Sequence, residues 1–207
     1  MSKSALKNSS DGRTESMARS TKTSDTVFVA LLRGVNVGGN NIISMKSLKT
    51  SFEKLGFKDV STYINSGNIL FRAKEADARK LETKIEAMLS REYKLGCKVV
   101  VRSFSEMASL IQNLPKGWDG DKDWKYNVIF LRHSIDSREV LERLGHKPEI
   151  EKVVYYPGTL LWSARISDIN RTTMQKLSSQ KLFQDMTVRN TNTTRKLYEL
   201  MNKMLED

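Results

Sequence analysis

Apolar and polar positions along this chain alternate between two rhythms, and the switches between them mark the elements. Val27 to Leu32 is an unbroken apolar run that ends at Arg33, and it predicts a strand of residues 27–33. A glycine-rich stretch follows, and then Met45, Leu48, Phe52 and Leu55 recur at helical spacing behind the N-cap residue Ser44, with Gly56 to end the helix. Residues 60–64 and 69–71 are β-rich and flank Asn65-Ser66-Gly67-Asn68, which reads as a hairpin turn. Asp77 to Tyr93 carries a second stripe, Ala78, Leu81, Ile85, Met88 and Leu89, with Gly96 as its stop, and residues 98–102 form another strand. The order to this point is β-α-β-β-α-β.

Ser103 and Glu106 then form a capping box for a short helix holding Met107, Leu110, Ile111 and Leu114. Residues 115–125 are a loop by composition. Beyond it the pattern repeats. A strand at 126–131 precedes a helix capped by Asp136 and Glu139, which contains Val140, Leu141 and Leu144 and closes at Gly145. Strands at 152–156 and 159–164 flank Pro157-Gly158. A helical stretch at 172–184, interrupted near Ser178-Ser179, leads to a short strand at 187–189. A last helix, 191–205, would bury Leu197, Leu200, Met201 and Met204.

Two hairpins demand antiparallel pairs, so tandem ferredoxin-like βαββαβ units of α+β class, plus a C-terminal helix, are preferred over a doubly wound α/β sheet. The expected division is a disordered leader over 1–25 (rich in Ser, Thr and Lys, with Met17 an alternative start), a first half over 26–114, a connecting loop over 115–125 and a second half over 126–207.

Composition narrows the setting. With 207 residues, 39% of them hydrophobic and 29% charged, the chain has globular values. The single cysteine, Cys97, rules out an intrachain disulfide and fits a reducing compartment. With His133 and His146 far apart it makes no zinc site of ordinary spacing, so no metal is expected. No apolar stretch is long enough to span a membrane and no secretory signal is recognisable, so the cytoplasm is the expected location. The net charge of +11 admits an anionic small molecule or nucleic acid as partner, or simply a basic surface. No run of five or six cations marks a nucleic-acid arm.

Three polar segments are candidates for chemistry. The spacing Gly34-x-x-x-x-Gly39 resembles a phosphate-cradling loop, but Asn40-Asn41 stand where lysine and a hydroxyl would be needed, and no G-x-G-x-x-G occurs. What remains is Arg33 beside the amides of Gly38, Gly39 and Asn40, an arrangement suited to an anion or to a tight turn alone. The Asn65–Asn68 hairpin is more polar than a turn requires. Arg189-Asn190, with Thr193, Arg195 and Lys196 beyond, opens the last helix with cations set against its dipole. Cys97 reads as a structural thiol, and Trp118, Trp124 and Trp162 as packing between the halves before base stacking.

The same segments carry a family likeness. Leu31-Leu32-Arg33-Gly34-Val35-Asn36-Val37-Gly38-Gly39-x-Asn41, Met45-x-x-Leu48, Gly56-Phe57, Thr62-Tyr63-Ile64-x-Ser66-Gly67-Asn68 with Phe71, and Arg189-Asn190 with Thr193, Lys196 and Leu197 resemble the domain of unknown function 1697 family. The resemblance covers nearly all of residues 27–206. It implies a bacterial protein of two ferredoxin-like halves and no known activity. Many relatives carry a lysine just after the paired glycines, where this chain has Asn40.

The functional expectation is therefore a cytosolic protein that binds a phosphorylated or otherwise anionic small molecule in one cleft. Arg33, Asn36, Gly38, Gly39 and Asn41 would line it from the loop, Ser66 and Asn68 from the hairpin, and Arg189, Asn190 and Lys196 from the last helix. A single cleft requires these segments within about 15 Å, since charges beyond a Debye length hardly cooperate. The alternatives are a nucleic-acid module, with Tyr63 and Phe71 as stacking rings on a basic sheet face, and a protein-interaction domain. No general base with a partner is visible, so neither turnover, cofactor nor oligomeric state is specified.

Overall fold

The structure, a computed structural model, describes residues 25–36, 42–177 and 180–206. The expected leader, apart from Asp25, lies outside the described residues, as do Gly38, Gly39 and Asn41. The chain forms two four-stranded antiparallel sheets. The first comprises β1 (Thr26–Leu32), β2 (Lys58–Tyr63), β3 (Asn68–Ala73) and β4 (Val99–Ser103) in the order β2-β3-β1-β4. The second comprises β5 (Trp124–Leu131), β6 (Glu151–Tyr156), β7 (Thr159–Arg165) and β8 (Met186–Asn190) in the order β6-β7-β5-β8. Helices α1 (Met45–Lys54) and α2 (Ala78–Tyr93) belong to the first unit, α4 (Val140–Leu144) and α5 (Thr173–Leu177) to the second. Two more, α3 (Phe104–Gln112) and α6 (Thr191–Glu206), follow the two edge strands.

The continuous apolar run of β1 has a physical cause: both its faces are covered. Phe28, Ala30 and Leu32 pack with Leu48 and Phe52 of α1 and Leu81 and Ile85 of α2, while Val27, Val29 and Leu31 face the other way. On that inner side one apolar cluster joins Val128, Phe130 and Leu161 of the second sheet to Met107 and Leu110 of α3 and Leu197 and Met201 of α6. A third cluster lies beyond the second sheet, around Ile129, Leu131, Leu160 and Trp162. The helices α3 and α6 thus lie between sheets that carry their own helices outside.

The repeat is βαββαβα, performed twice. Helix α6 is no appendage but the counterpart of α3. Paired backbone contacts show the equivalence. Leu32 N–H donates to Gly67 O at 2.8 Å and Leu131 N–H to Gly158 O at 2.9 Å. Arg33 N–H donates to Lys98 O and Arg132 N–H to Asp185 O. Val29 pairs with Arg102 across β1 and β4, as Val128 pairs with Arg189 across β5 and β8.

Local chemistry explains most boundaries. Ser44 caps α1, Asp77 caps α2, and Ser103 with Glu106 forms the complete capping box of α3. Two expectations need correction. Helix α2 ends at Lys94, which takes the left-handed conformation itself at φ 55°, before Gly96 is reached. Asp136 does not cap a helix: its carboxylate accepts from Gly158 N–H at 2.8 Å and from the Tyr155 hydroxyl at 3.0 Å, so a single 3-10 turn, His133–Ile135, precedes a short α4. Binding the neighbouring hairpin outweighs capping because it satisfies a buried turn amide.

Candidate functional site

The end of β1, the Asn65–Asn68 hairpin and the end of β8 meet, and Arg189 is the residue that joins them. β8 carries its side chain across to the first unit. Nε–H donates to Asn68 Oδ1 at 2.6 Å, Nη2 to Leu32 O and Ser66 O, each at 3.1 Å, and to Gly67 O at 3.4 Å. Nη1 is held by Thr187 Oγ1 and Val188 O within β8. Burial pulls this guanidinium down to about 10, still charged at neutral pH. Asn68 is fully occupied as well, donating to Tyr63 O and Ser66 Oγ. Gly67 permits the approach: a Cβ there would stand 2.9 Å from Leu32 Cβ, and its φ is +69°.

The remaining candidates divide. Asn36 clasps the base of the glycine loop, donating to Ile43 O at 2.9 Å and accepting from Ile43 N–H at 2.7 Å. Asn190 caps α6 by accepting from Thr193 N–H at 2.7 Å. Lys196 pairs with Glu199 one turn on. Arg33 differs from all of these. Its guanidinium lies 4.6 Å from the centre of the Phe183 ring, its Nε is buried without a hydrogen-bond partner, and no carboxylate lies within ion-pair distance among the described residues.

Its counterpart in the second unit is Arg132, and the contrast is instructive. Arg132 reaches Glu86 at 3.1 Å, Asp185 at 3.4 Å and Glu82 at 3.7 Å. These two glutamates of α2 also accept from the edge of β4: Glu82 from Val101 N–H at 3.1 Å and Glu86 from Val99 N–H at 3.0 Å. They therefore close the free edge of the first sheet. Glu82 is 2% exposed, and desolvation raises its carboxyl to about 7 against the opposing pull of the Val101 amide, Arg132 and Arg102. Beside it, burial and the Arg102 charge lower His133, which keeps the imidazole neutral at pH 7. The Cys97 thiol is pushed up to about 11 by burial and then by Glu86, so it remains a thiol.

Sequence reasoning passed over Arg102, which does for the second unit what Arg189 does for the first. Its Nη2 donates to Leu131 O and to Gly158 O at 2.9 Å, and its Nη1 to Val101 O. Signals were present. Arg102 ends the apolar run of β4 yet stays buried, and Glu82 stands inside the apolar stripe of α2. Two aromatic candidates also moved. Phe71 is wholly buried, with its ring 4.5 Å from that of Phe57, and Tyr63 packs against the inner cluster, so these two form no stacking platform. Trp162 is a core residue whose Nε1–H donates to Glu151.

Among the described residues, no group of three or more His, Cys, Asp or Glu is placed to hold a metal ion, and no helix is long and apolar enough to cross a membrane. Comparison with known proteins agrees with the fold. A family model described as "Protein of unknown function (DUF1697)" matches residues 26–162. The chain is also similar to a solved structure described as that of conserved bacterial protein SP0830 from Streptococcus pneumoniae, at 25% identity and a TM-score of 0.76, covering 85% of this chain and 98% of that one. No curated protein matches.

Proposed function

This chain belongs to the DUF1697 family of proteins of unknown function, and from that premise we propose that it is a cytosolic protein binding a phosphorylated or otherwise anionic small molecule at the end of β1. The observation that carries this reading is the asymmetry between two equivalent arginines. Arg132 is paired with Glu86 and Asp185 and lies beside Glu82, whereas Arg33 has no carboxylate among the described residues and is held in place by an aromatic face. A half-buried guanidinium without a counter-ion favours an anion strongly, because its field is less screened than at an open surface.

In this reading Arg33 supplies the charge, and Gly38, Gly39 and Asn41 are the loop residues that the sequence nominates as further donors. Arg189, Asn68 and Ser66 are positioning residues that fix the end of β1 against the hairpin. Asn36 sets the loop's base. Asn190 and Lys196 contribute through the start of α6.

A thermal-shift screen of pyrophosphate, sugar phosphates and nucleotides tests the proposal. A ligand present at about 100 times its dissociation constant stabilises the protein by roughly 2.7 kcal/mol. Arg33→Met should fold normally and lose that stabilisation. An unchanged shift in Arg33→Met, or no shift with any probe in the native protein, overturns the assignment.

A further inference from the structure

The two halves of the repeat differ at one corner, and the difference leaves a cavity. In the first unit Val27, Arg72 and Lys58 form one row across β1, β3 and β2. The long Arg72 side chain fills that corner: it donates to Met204 O in the last turn of α6 and pairs with Asp59 at 2.9 Å. In the second unit the equivalent row is Tyr126, Ser163 and Lys152. Ser163 stands where Arg72 would be, and the helix that should cover it stops early. Helix α3 has 9 residues and α6 has 16, a difference of about 10 Å of helix. Pro115 prevents α3 from continuing, and the loop that follows roofs the corner instead.

What results is a cavity of about 410 Å³, within the range of roughly 300–1,000 Å³ common for small-molecule sites. Its walls are fixed. Trp118 donates from Nε1 to Thr191 Oγ1 at 2.9 Å and meets the Tyr126 ring edge to face at 5.0 Å. Asp119 ties the same loop to α6 through Arg195 at 3.0 Å. Trp124 is flanked by Lys152 Nζ at 4.9 Å and the Arg165 guanidinium at 5.6 Å. Leu161 and Val154, the latter 50% exposed, add apolar floor.

The polar groups here are unspent, unlike those around Arg189. The Tyr126 hydroxyl and the Ser163 hydroxyl make no hydrogen bond with a described residue, and Lys116 and Lys152 have no ion-pair partner among the described residues. Asp121 is the one carboxylate in the lining, and its Oδ1 already accepts from Asp123 N–H.

We propose that this cavity binds a small molecule combining a planar aromatic ring with an anionic group. The ring would lie against Trp118, Trp124 and Tyr126, and the anion would face Lys152, Lys116 and the Ser163 hydroxyl. Aromatic walls recognise a π-face whatever the ring. Two unpaired ammonium groups select the charge. The site uses none of the residues assigned to the end of β1, so it stands or falls independently of that reading.

The emission of Trp118 and Trp124 reports directly on occupancy, while Trp162, buried behind the sheet, provides a constant background. Adenosine monophosphate and naphthoate serve as ring-bearing anions with phosphate and carboxylate groups respectively, and adenosine and inorganic phosphate as the halves of the ligand. Saturable quenching is expected with one or both anions, and binding weaker by at least about tenfold, or 1.4 kcal/mol, for either half. Ser163→Arg, which copies the first unit's Arg72 into the corner, should abolish quenching while leaving the far-UV dichroism and Tm of the native protein. Lys152→Met, at the exposed rim, should weaken binding by at least about tenfold. No saturable change with either anion at millimolar concentration, or undiminished affinity in Lys152→Met, overturns the proposal. So does undiminished binding in a folded Ser163→Arg.

Discussion

Glu82 offers a sharp test of how the polar seam between the halves works. Its carboxyl is buried against β4, accepts from Val101 N–H and lies 3.7 Å from Arg132. Desolvation outweighs these attractions and raises its pKa from 4.5 to about 7. The unfolded chain gives up this proton near pH 4.5 and the folded one near 7, so between those values the native state binds more protons. Stability is therefore fully present below pH 4.5 and is lost as pH rises through 7. The full displacement corresponds to about 3 kcal/mol, of which about 2.5 kcal/mol falls between pH 5 and pH 8. Glu82→Gln keeps an oxygen for the Val101 amide and removes the titration. Urea unfolding of both proteins across this range, with the native-minus-variant difference taken at each pH, isolates the group from His133 and all others. The difference should fall by about 2.5 kcal/mol as pH rises from 5 to 8. A flat difference would show that Glu82 titrates alike in both states. A rising one would show that the charges of Arg132 and Arg102 overcome desolvation, and either result refutes the reasoning.

The reciprocal arginines should behave as a pair of unequal strength. Arg102→Met, at a 2% exposed site, should cost about 3–5 kcal/mol in urea unfolding, and Arg189→Met less, because Arg189 itself is only half-buried. Lysine at either position should not restore stability, since it lacks the planar fork that spans two carbonyls. Gly67→Ala should cost more than Gly56→Ala. Both have positive φ, worth about 1–2 kcal/mol, but only at Gly67 does a Cβ meet neighbouring atoms, at 2.9 Å. Equal losses in the two variants would show that close approach to Leu32 is not what keeps Gly67.

Much of the chain could be read before any coordinates. Ser44 and the Ser103–Glu106 box announce helices α1 and α3 because capping is local chemistry, confined to three or four residues. The hairpins at 65–68 and 157–158 were legible for the same reason, and they sufficed to choose antiparallel sheets. The second unit's helices were harder. Asp136 has the form of a cap, yet its carboxylate is drawn to the Gly158 amide, a partner 22 residues away. No local rule ranks those two uses.

The end of β1, the hairpin and Arg189 were each visible in the sequence, but their meeting was not. Periodicity assigns a residue to a face, and it cannot say which sheet edge that face will oppose. Arg189 and Arg102 bond across the halves, over separations of more than 100 residues for Arg189 and Asn68 and of 29 residues for Arg102 and Leu131. Nor could the sequence rank Arg33 against Arg132, since both simply follow an apolar strand. Only the packed structure surrounds one with Glu82, Glu86 and Asp185 and the other with Phe183. Element type, order and pairing sense thus follow from short-range pattern and turn chemistry. Which charges are spent on the fold, and which are left for a ligand, is decided by long-range burial, because desolvation and counter-ions exist only once distant segments meet.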